Sequence, residues 1–224
     1  MAKITELHNA VRNAQDEVFY WATSSHLTWH TECHSHASGQ LFCLDSGLAT
    51  METDNTSWIL LPGRVGWIPP ASTHSMRSFQ QVTGWSLYLP ARCAKVLPEV
   101  PTIFIRSALL EQLVARVAQW QTEPPSEAVR NRLLAVLCDE IHISRTGPFH
   151  LRSPTDPRLR ALIETLVQDP SLELALDDCA RQVGMSKRSL TRGFQQQTGL
   201  SFGQWQQKFR VLAAMERLDR KSVV

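Results

Sequence analysis

A change in the spacing of apolar residues near residue 105 constrains the fold of this 224-residue chain more than any other feature. Between about residues 20 and 105, short apolar runs alternate with Gly, Pro, Asp and Asn, a pattern typical of antiparallel strands. Between about 107 and 144, apolar residues recur every three or four positions, as in amphipathic helices. The sequence therefore predicts an α+β chain in which a β-barrel or jelly roll precedes helices.

Candidate strands share an apolar run bounded by turn residues, and they are Gln40–Cys43, Leu48–Glu52, Trp58–Leu61, Val65–Ile68, Ser75–Phe79 and Ser86–Leu89. Two helices are predicted around Leu109–Val117 and Val129–Ile141, and such a hairpin either covers the barrel or supplies a dimer interface. We interpret the chain as four regions: a barrel domain (1–105), a helical hairpin for dimerisation (106–145), a Pro- and Ser-rich linker (146–157) and a helical domain (158–224).

Composition excludes several classes of protein. Hydrophobic residues make up 43% of the chain, yet no apolar run approaches the roughly 20 residues of a membrane span. The five cysteines are scattered and form no C-x-x-C pair, which argues against a disulfide framework and a structural zinc module. The first residues are polar and lack the apolar core of a secretory signal. We expect a cytoplasmic protein without membrane contact.

The charge is concentrated in one segment. The net charge is +2, but residues 181–210 carry six basic side chains and no acidic one. A local basic stretch on a nearly neutral protein indicates a polyanion partner, usually nucleic acid.

The same segment has the layout of a helix-turn-helix, with Leu176–Gly199 reading LDDCARQVGMSKRSLTRGFQQQTG. Gly184 supplies a left-handed turn position, and Ser186 is a candidate N-cap for a second helix. In that helix, predicted over Lys187–Gln197, Leu190 and Phe194 face inward while the basic and polar residues face outward. Such a helix can enter the DNA major groove.

The run G-M-S-x-R-x-L-x-R-x-F-x-x-x-T-G-x-S-x-x-x-W, spelled by Gly184 through Trp205, resembles the first helix-turn-helix of the AraC/XylS family of transcription regulators. Residues Phe202–Leu218 resemble the connecting helix of that family. The resemblance implies base contacts by Arg188, Thr191 and Arg192, and phosphate or flanking positions for Ser186, Lys187, Ser189 and Gln195. The family has a second helix-turn-helix where this sequence ends, so we expect a truncated DNA-binding domain with weakened DNA affinity.

The N-terminal region resembles the cupin-like sensor domain of such regulators, through His34-Ser35-His36, Gln40, Gly47, Gly66–Pro70 and His74. The resemblance implies an effector or metal site formed by His30, His34, His36, Gln40 and His74, with Glu32 and Cys33 nearby. Neutral imidazoles suit nickel or zinc. Because Gln40 stands where cupin enzymes carry a carboxylate, oxygenase chemistry is disfavoured. A small-organic effector pocket, a metal-sensing site and purely structural histidines remain three open interpretations.

Together these patterns predict a regulator that binds double-stranded DNA as a homodimer and responds to a small-molecule or metal effector. The sequence shows no Ser-His-Asp order, phosphate-binding Gly loop or paired catalytic carboxylates, so we predict no enzymatic activity and no certain cofactor. Two alternatives are a cupin metalloenzyme of the dioxygenase type, and a truncated regulator that dimerises without binding DNA.

Overall fold

Two antiparallel sheets and a set of helices make up the computed structural model, which describes residues 17–25, 29–53, 56–78, 81–144 and 151–221. The strands are β1 (Phe19–Ser25), β2 (Gly39–Ser46), β3 (Ala49–Thr53), β4 (Thr56–Leu60), β5 (Arg64–Ile68), β6 (His74–Ser78), β7 (Val82–Leu89), β8 (Thr102–Ile105) and β9 (Leu151–Ser153). The helices are α1 (Ala108–Ala118), α2 (Glu127–Ile143), α3 (Pro157–Gln168), α4 (Leu176–Gln182), α5 (Lys187–Thr198) and α6 (Phe202–Lys221).

One sheet has five strands in the order β1-β7-β2-β5-β8, and the other has four in the order β6-β3-β4-β9. All six strands predicted from the sequence are present, and the mixed fold agrees with the predicted α+β class. Strands β1 and β8 were not predicted. Both lie at edges of the five-stranded sheet and are only partly buried, so their apolar residues do not form a clear strand pattern.

Both faces of the five-stranded sheet are covered. Along β2, Leu41 and Cys43 pack in one cluster with residues of α1 and α2, whereas Phe42 and Leu44 pack in another cluster with residues of the four-stranded sheet. Successive strand residues point to opposite faces, so burial on both sides requires a continuous apolar run such as LFCL. The hairpin therefore covers one face of this sheet, which is one of the two roles considered for it, and its predicted role in dimerisation remains a prediction.

The segment 146–157 differs from the predicted linker. Residues 146–150 lie outside the described part of the chain, but Leu151–Ser153 form β9, which pairs with β4, and Pro157 begins α3. The sequence did not predict this strand, because it has only three residues and lies among Pro and Ser residues. Its hydrogen bonds come from pairing with β4 at the edge of the four-stranded sheet. The strand anchors the start of the helical domain to the barrel.

The helical domain packs directly on the four-stranded sheet. Ile59 of β4 and Leu151 of β9 share a buried cluster with Leu159 of α3 and Phe194 of α5. The indole Nε1 of Trp205 donates a hydrogen bond to the carbonyl oxygen of Arg152 at 2.7 Å.

Two ion pairs cross the same boundary. Arg160 of α3 lies 2.7 Å from Glu52 of β3, and Arg77 of β6 lies 3.0 Å from Glu164 of α3. Core packing, β9 and these pairs place α3 firmly against the sheet. Among the helices described, none combines the length and apolar character needed to cross a bilayer.

Candidate nucleic-acid interface and histidine cluster

Helices α4 and α5 form a helix-turn-helix whose local geometry follows from a few residues. Gly184 has φ +62°, a conformation that favours glycine, and it directs the chain from α4 into the turn. The Ser186 hydroxyl accepts a hydrogen bond from the Ser189 amide at 3.1 Å, confirming the predicted N-cap of α5. Gly199, with φ +76°, ends α5 in the left-handed conformation.

The two faces of α5 differ sharply in polarity. Leu190 and Phe194 are fully buried, as predicted, and pack in the core of the helical domain. Residues on the opposite side are exposed, and they are Lys187, Arg188, Thr191, Arg192 and Gln195. The interior positions hold α5 in place, so its polar side is presented to solvent.

Arg188 and Arg192 differ from neighbouring basic residues in that no acidic side chain pairs with them in the described part of the chain. They are four residues apart, so they lie one above the other on one helix face. Lys187 pairs with Asp177, Arg181 pairs with Asp178, and Arg210 donates to a backbone carbonyl. Within the described residues, neither guanidinium of Arg188 and Arg192 forms an ion pair. Both cations are therefore available to an anionic partner.

Three predicted contact residues already serve α5 itself. The hydroxyls of Ser186 and Ser189 hydrogen-bond to each other at 2.9 Å, and Ser189 is half-buried. The Gln195 amide donates to the Gly199 carbonyl at 3.0 Å, so it satisfies a carbonyl at the end of α5. Thr191 is exposed between the two arginines in sequence.

Sequence reasoning missed two residues beside this face. Arg158 of α3 and Gln196 of α5 line a shallow groove together with Ser189 and Arg192. Arg158 is exposed and pairs with Asp156 at 3.1 Å. Nothing in the sequence relates Arg158 to Arg192, because only the packing of α3 against α5 brings them to one groove.

The orientation of α5 is fixed by one further side chain. The Gln197 side-chain oxygen accepts hydrogen bonds from the backbone amides of Thr155 at 2.8 Å and Asp156 at 2.9 Å. These amides lie just before α3, whose N-cap is Asp156. The side-chain amide oxygen of Gln197 thus links the C-terminal half of α5 to the start of the helical domain.

In the barrel, three histidines from two segments form one cluster. His34, His36 and His74 each offer a ligand atom, and these atoms lie within 4.8 Å of one another. His34 and His74 are brought together by reciprocal backbone hydrogen bonds at 3.0 and 2.9 Å, which extend a pairing of residues 29–34 with β6. His74 is 1% exposed, while His34 and His36 are half-buried.

The Nδ1 atom of each ring in the cluster lies at hydrogen-bond distance from a backbone carbonyl oxygen. The pairs are His34 with Glu32 (2.8 Å), His36 with Ser38 (2.6 Å) and His74 with Ser72 (2.9 Å). A carbonyl only accepts, so in each neutral ring Nδ1 carries the hydrogen and Nε2 carries the lone pair. Hydrogen bonds of this kind orient metal-binding histidines in proteins.

His36 continues into a buried polar network. Its Nε2 lies 3.2 Å from Oε1 of Gln40, whose amide nitrogen donates to Ser86 Oγ at 3.1 Å. The Tyr88 ring meets the His36 ring edge-on at 5.2 Å, and burial raises the pKa of Tyr88. Residues 86 and 88 of β7 point to the same face as Gln40, a relation that depends on strand register and that the sequence reasoning missed.

Burial lowers the pKa of His36, although hydrogen bonds to the Ser38 carbonyl and to Gln40 partly oppose this effect. The lowered pKa favours the neutral imidazole, which is the form that binds metal ions. In the contact between His36 Nε2 and Gln40 Oε1, a neutral ring nitrogen and an amide oxygen are both acceptors. A proton or a cation between the two atoms stabilises this orientation. If the Gln40 amide is reversed, its NH₂ group donates to the same nitrogen instead. Three imidazole nitrogens fit a transition-metal donor set.

The other predicted members of this site lie elsewhere. His30 is exposed and pairs through its backbone with Arg77, outside the group of three histidines. Glu32 and Cys33 are also exposed. These residues are near the cluster in sequence, but the path of the chain between residues 30 and 34 directs them away from it.

The chain is similar to a curated protein, the HTH-type transcriptional regulator NimR of Escherichia coli (strain K12), with 29% identity over 191 residues that cover 85% of this chain and 70% of NimR. Among solved structures it is similar to the AraC-like transcriptional activator CuxR (14% identity, TM-score 0.42, 94% and 90% of the two chains). It is also similar to ToxT from Vibrio cholerae (9% identity, TM-score 0.40, 89% and 82%). No protein-family model matches the sequence.

The similarity to NimR extends over most of the chain, so it includes the barrel as well as the helices. NimR is an HTH-type transcriptional regulator. This similarity to a transcription regulator, together with the helix-turn-helix formed by α4 and α5, is the basis of the function proposed below.

Proposed function

We propose that the chain is a sequence-specific DNA-binding regulator of the AraC/XylS type in which α5 enters the major groove. The observation that carries this proposal is the pair of exposed arginines, Arg188 and Arg192, one turn apart on a helix whose other face is buried. An arginine that contacts guanine O6 and N7 is the commonest base-specific contact in the major groove. Thr191 and Lys187 would flank these contacts, with Ser186, Ser189 and Gln195 near the phosphates.

The test is a binding competition against DNA. Wild-type protein first selects its preferred sites from a random duplex library, and fluorescence anisotropy then compares a selected site with a scrambled one. Arg188→Ala and Arg192→Ala should each reduce discrimination at one base pair by about 1–3 kcal/mol. Arg181→Ala is the matched control, because it removes an exposed cation that is paired with Asp178. Unchanged discrimination in both α5 variants would contradict the proposal.

A homodimer would place two such helices on one DNA site. The outer side of the hairpin supports this part of the proposal, because Val136 is 44% and Ile143 72% exposed on α2, and Leu109 is 50% exposed on α1. Residues 136 and 143 are seven apart and share a face, the spacing of a helix–helix seam. Val136→Lys should shift the mass measured by light scattering towards the monomer, and Val96→Lys, another exposed valine, should not.

We also propose that the histidine cluster binds the effector, and that this effector is a transition-metal ion such as nickel or zinc. The three rings place ligand atoms within 4.8 Å of one another, and their Nδ1 atoms lie at hydrogen-bond distance from backbone carbonyl oxygens. This arrangement favours a metal over the two other interpretations, because neither an organic ligand nor a purely structural role requires three imidazole ligand atoms so close together. A Zn²⁺ or Ni²⁺ titration followed by calorimetry should give one site per chain, and its absence would contradict this part of the proposal.

The four-stranded sheet offers a route by which the effector would act on DNA binding. His74 and Arg77 both lie on β6, and Arg77 pairs with Glu164 of α3. A ligand changes DNA affinity only if it binds one arrangement of the two regions more tightly than another. DNA titrations with and without Zn²⁺ should therefore give different dissociation constants.

A further inference from the structure

Two cysteines from distant parts of the sequence meet between the barrel and the helical hairpin. Cys93 begins a short 3₁₀ turn (Cys93–Val96) that precedes β8, and Cys138 lies in α2. The Cys138 thiol donates a hydrogen bond to the carbonyl oxygen of Cys93 at 3.5 Å, and the two side chains lie close enough for each to shift the pKa of the other. Both side chains are reduced and belong to the same apolar cluster.

The two thiols are not equivalent. Cys93 is half-buried, whereas Cys138 is 4% exposed. The hydrogen bond from Cys138 lowers the pKa of Cys93 to about 7, burial opposes this effect, and the positive charge of Arg92 lowers the pKa further. The same hydrogen bond, together with burial, raises the pKa of Cys138. Cys93 is therefore the more acidic and more accessible thiol of the pair, and Cys138 is the less acidic and buried one.

The remaining cysteines lack this arrangement. Burial raises the pKa of the Cys43 thiol to about 12 and also raises the pKa of Cys179. Cys33 is exposed. Among the cysteines, the contact between one accessible and one buried thiol occurs only at Cys93 and Cys138 in the described part of the chain.

A cavity lies next to this site. A cavity of about 1040 Å³ opens between the start of β1 and the hairpin, and its wall includes Arg92, next to Cys93, and Leu134, one turn before Cys138. Trp120 lies in the same wall, and its indole N–H has no hydrogen-bond partner among the described residues. The Cys93 side chain is itself half-buried, so part of it is accessible to small reagents from solvent.

We propose that Cys93 and Cys138 form a redox-active dithiol that a hydroperoxide converts into an intramolecular disulfide. The Cys93 thiolate attacks the peroxide, the O–O bond breaks, and the product alkoxide or hydroxide takes up a proton, leaving Cys93 as a sulfenic acid. The Cys138 sulfur then attacks the Cys93 sulfur, the S–S bond forms, and the hydroxyl of the sulfenic acid leaves as water with the proton of Cys138. The dithiol loses two electrons and two protons, and the peroxide is reduced to water and an alcohol, or to two waters.

The disulfide would covalently link the 3₁₀ turn before β8 to α2, the helix that carries the exposed Val136 and Ile143. The experiment treats the reduced full chain with one equivalent of hydrogen peroxide and maps its peptides without reduction. A peptide linking Cys93 to Cys138 should be the main product, with the loss of two hydrogens from the intact chain. Preferential oxidation of Cys33, or oxidation of Cys93 to sulfinic acid without the cross-link, would overturn the proposal.

Two variants and one pH profile sharpen this test. Cys138→Ser should stop at the sulfenic acid of Cys93, trapped by dimedone, whereas Cys33→Ser is the matched control and should still form the cross-link. Circular dichroism establishes that both variants are folded. The alkylation rate of Cys93 in the wild-type chain should rise with pH around a midpoint near 7, and a midpoint near that of an ordinary thiol, about 8.5, would count against the proposed thiolate.

Discussion

Helix α5 and the histidine cluster differ in how far along the chain their residues lie. The predicted DNA contacts all fall between Ser186 and Gln195, within one capped helix. The cluster needs His34 and His36 from one segment, His74 from β6, and Ser86 with Tyr88 from β7. A helical face can be inferred from periodicity alone, but a site assembled across strands depends on which segments pair.

The largest expected effect tests whether α5 depends on distant residues for its support. Trp205 is fully buried and shares a core with α5 and the four-stranded sheet. Trp205→Ala should reduce the free energy of unfolding by about 3–5 kcal/mol, because it leaves a cavity and removes the hydrogen bond to Arg152. Urea unfolding measures this change. Val211→Ala, at a 52% exposed position of α6, should alter stability by no more than about 0.5 kcal/mol, and equal losses in the two variants would show that this core is not essential.

The second prediction separates the two regions by ligand. His74→Ala should weaken Zn²⁺ binding by more than the roughly 10- to 100-fold that the loss of an outer-shell partner costs, because it removes a direct donor. DNA affinity measured without metal should stay unchanged, because His74 lies on β6, at the edge of the four-stranded sheet opposite to β9, the strand that contacts α5. His30→Ala is the control, because His30 lies outside the cluster. Calorimetry and anisotropy measure the two affinities, and equal weakening of Zn²⁺ binding by the two variants would contradict the assignment.

A smaller effect tests the local nature of α5. Ser186→Ala removes the acceptor for the Ser189 amide and should cost about 1 kcal/mol of folding free energy. Thr191→Ala, at an exposed position of the same helix that caps nothing, should cost less than about 0.5 kcal/mol. Thermal unfolding compares the two variants, and a loss at position 191 as large as that at 186 would show that capping is not what stabilises the helix.

The smallest effect concerns the tie between the two regions. A double-mutant cycle with Arg77→Met and Glu164→Gln should give a coupling energy of about 0.2–1 kcal/mol, because the side chains are 51% and 29% exposed. The coupling should decrease at high salt. Denaturant unfolding at two salt concentrations measures it. A coupling that is zero at low salt would mean that shared core packing and β9 alone join the domains.

Much of the fold could be predicted because its signals are local. Six strands, both hairpin helices, the turn at Gly184 and the cap at Ser186 each follow from a few neighbouring residues. Strand β9 was missed because its three residues form a strand only where the edge of β4 is available. The groove between Arg158 and Arg192 was missed for the same reason, since it depends on helix packing.

The structure brings together only part of the residues predicted for the histidine site, and their role as an effector or metal site remains a prediction. A run containing His30, His34 and His36 suggests one set of ligands, yet the structure groups only the last two with His74 and places His30 at the surface. Sequence spacing shows which side chains alternate along a strand, but residues 35–37 are not regular strand. Backbone pairing with β6 determines the result.

The amino-acid sequence by itself determined where helices begin and end, which face of α5 is apolar, and where positive charge accumulates, because these properties depend on residues a few positions apart. The tertiary structure decided which histidines meet, which arginines remain unpaired, and how the helical domain is joined to the barrel. Those properties depend on contacts between residues that are far apart along the chain, and such contacts form only when sheets and helices pack to exclude water from their apolar faces.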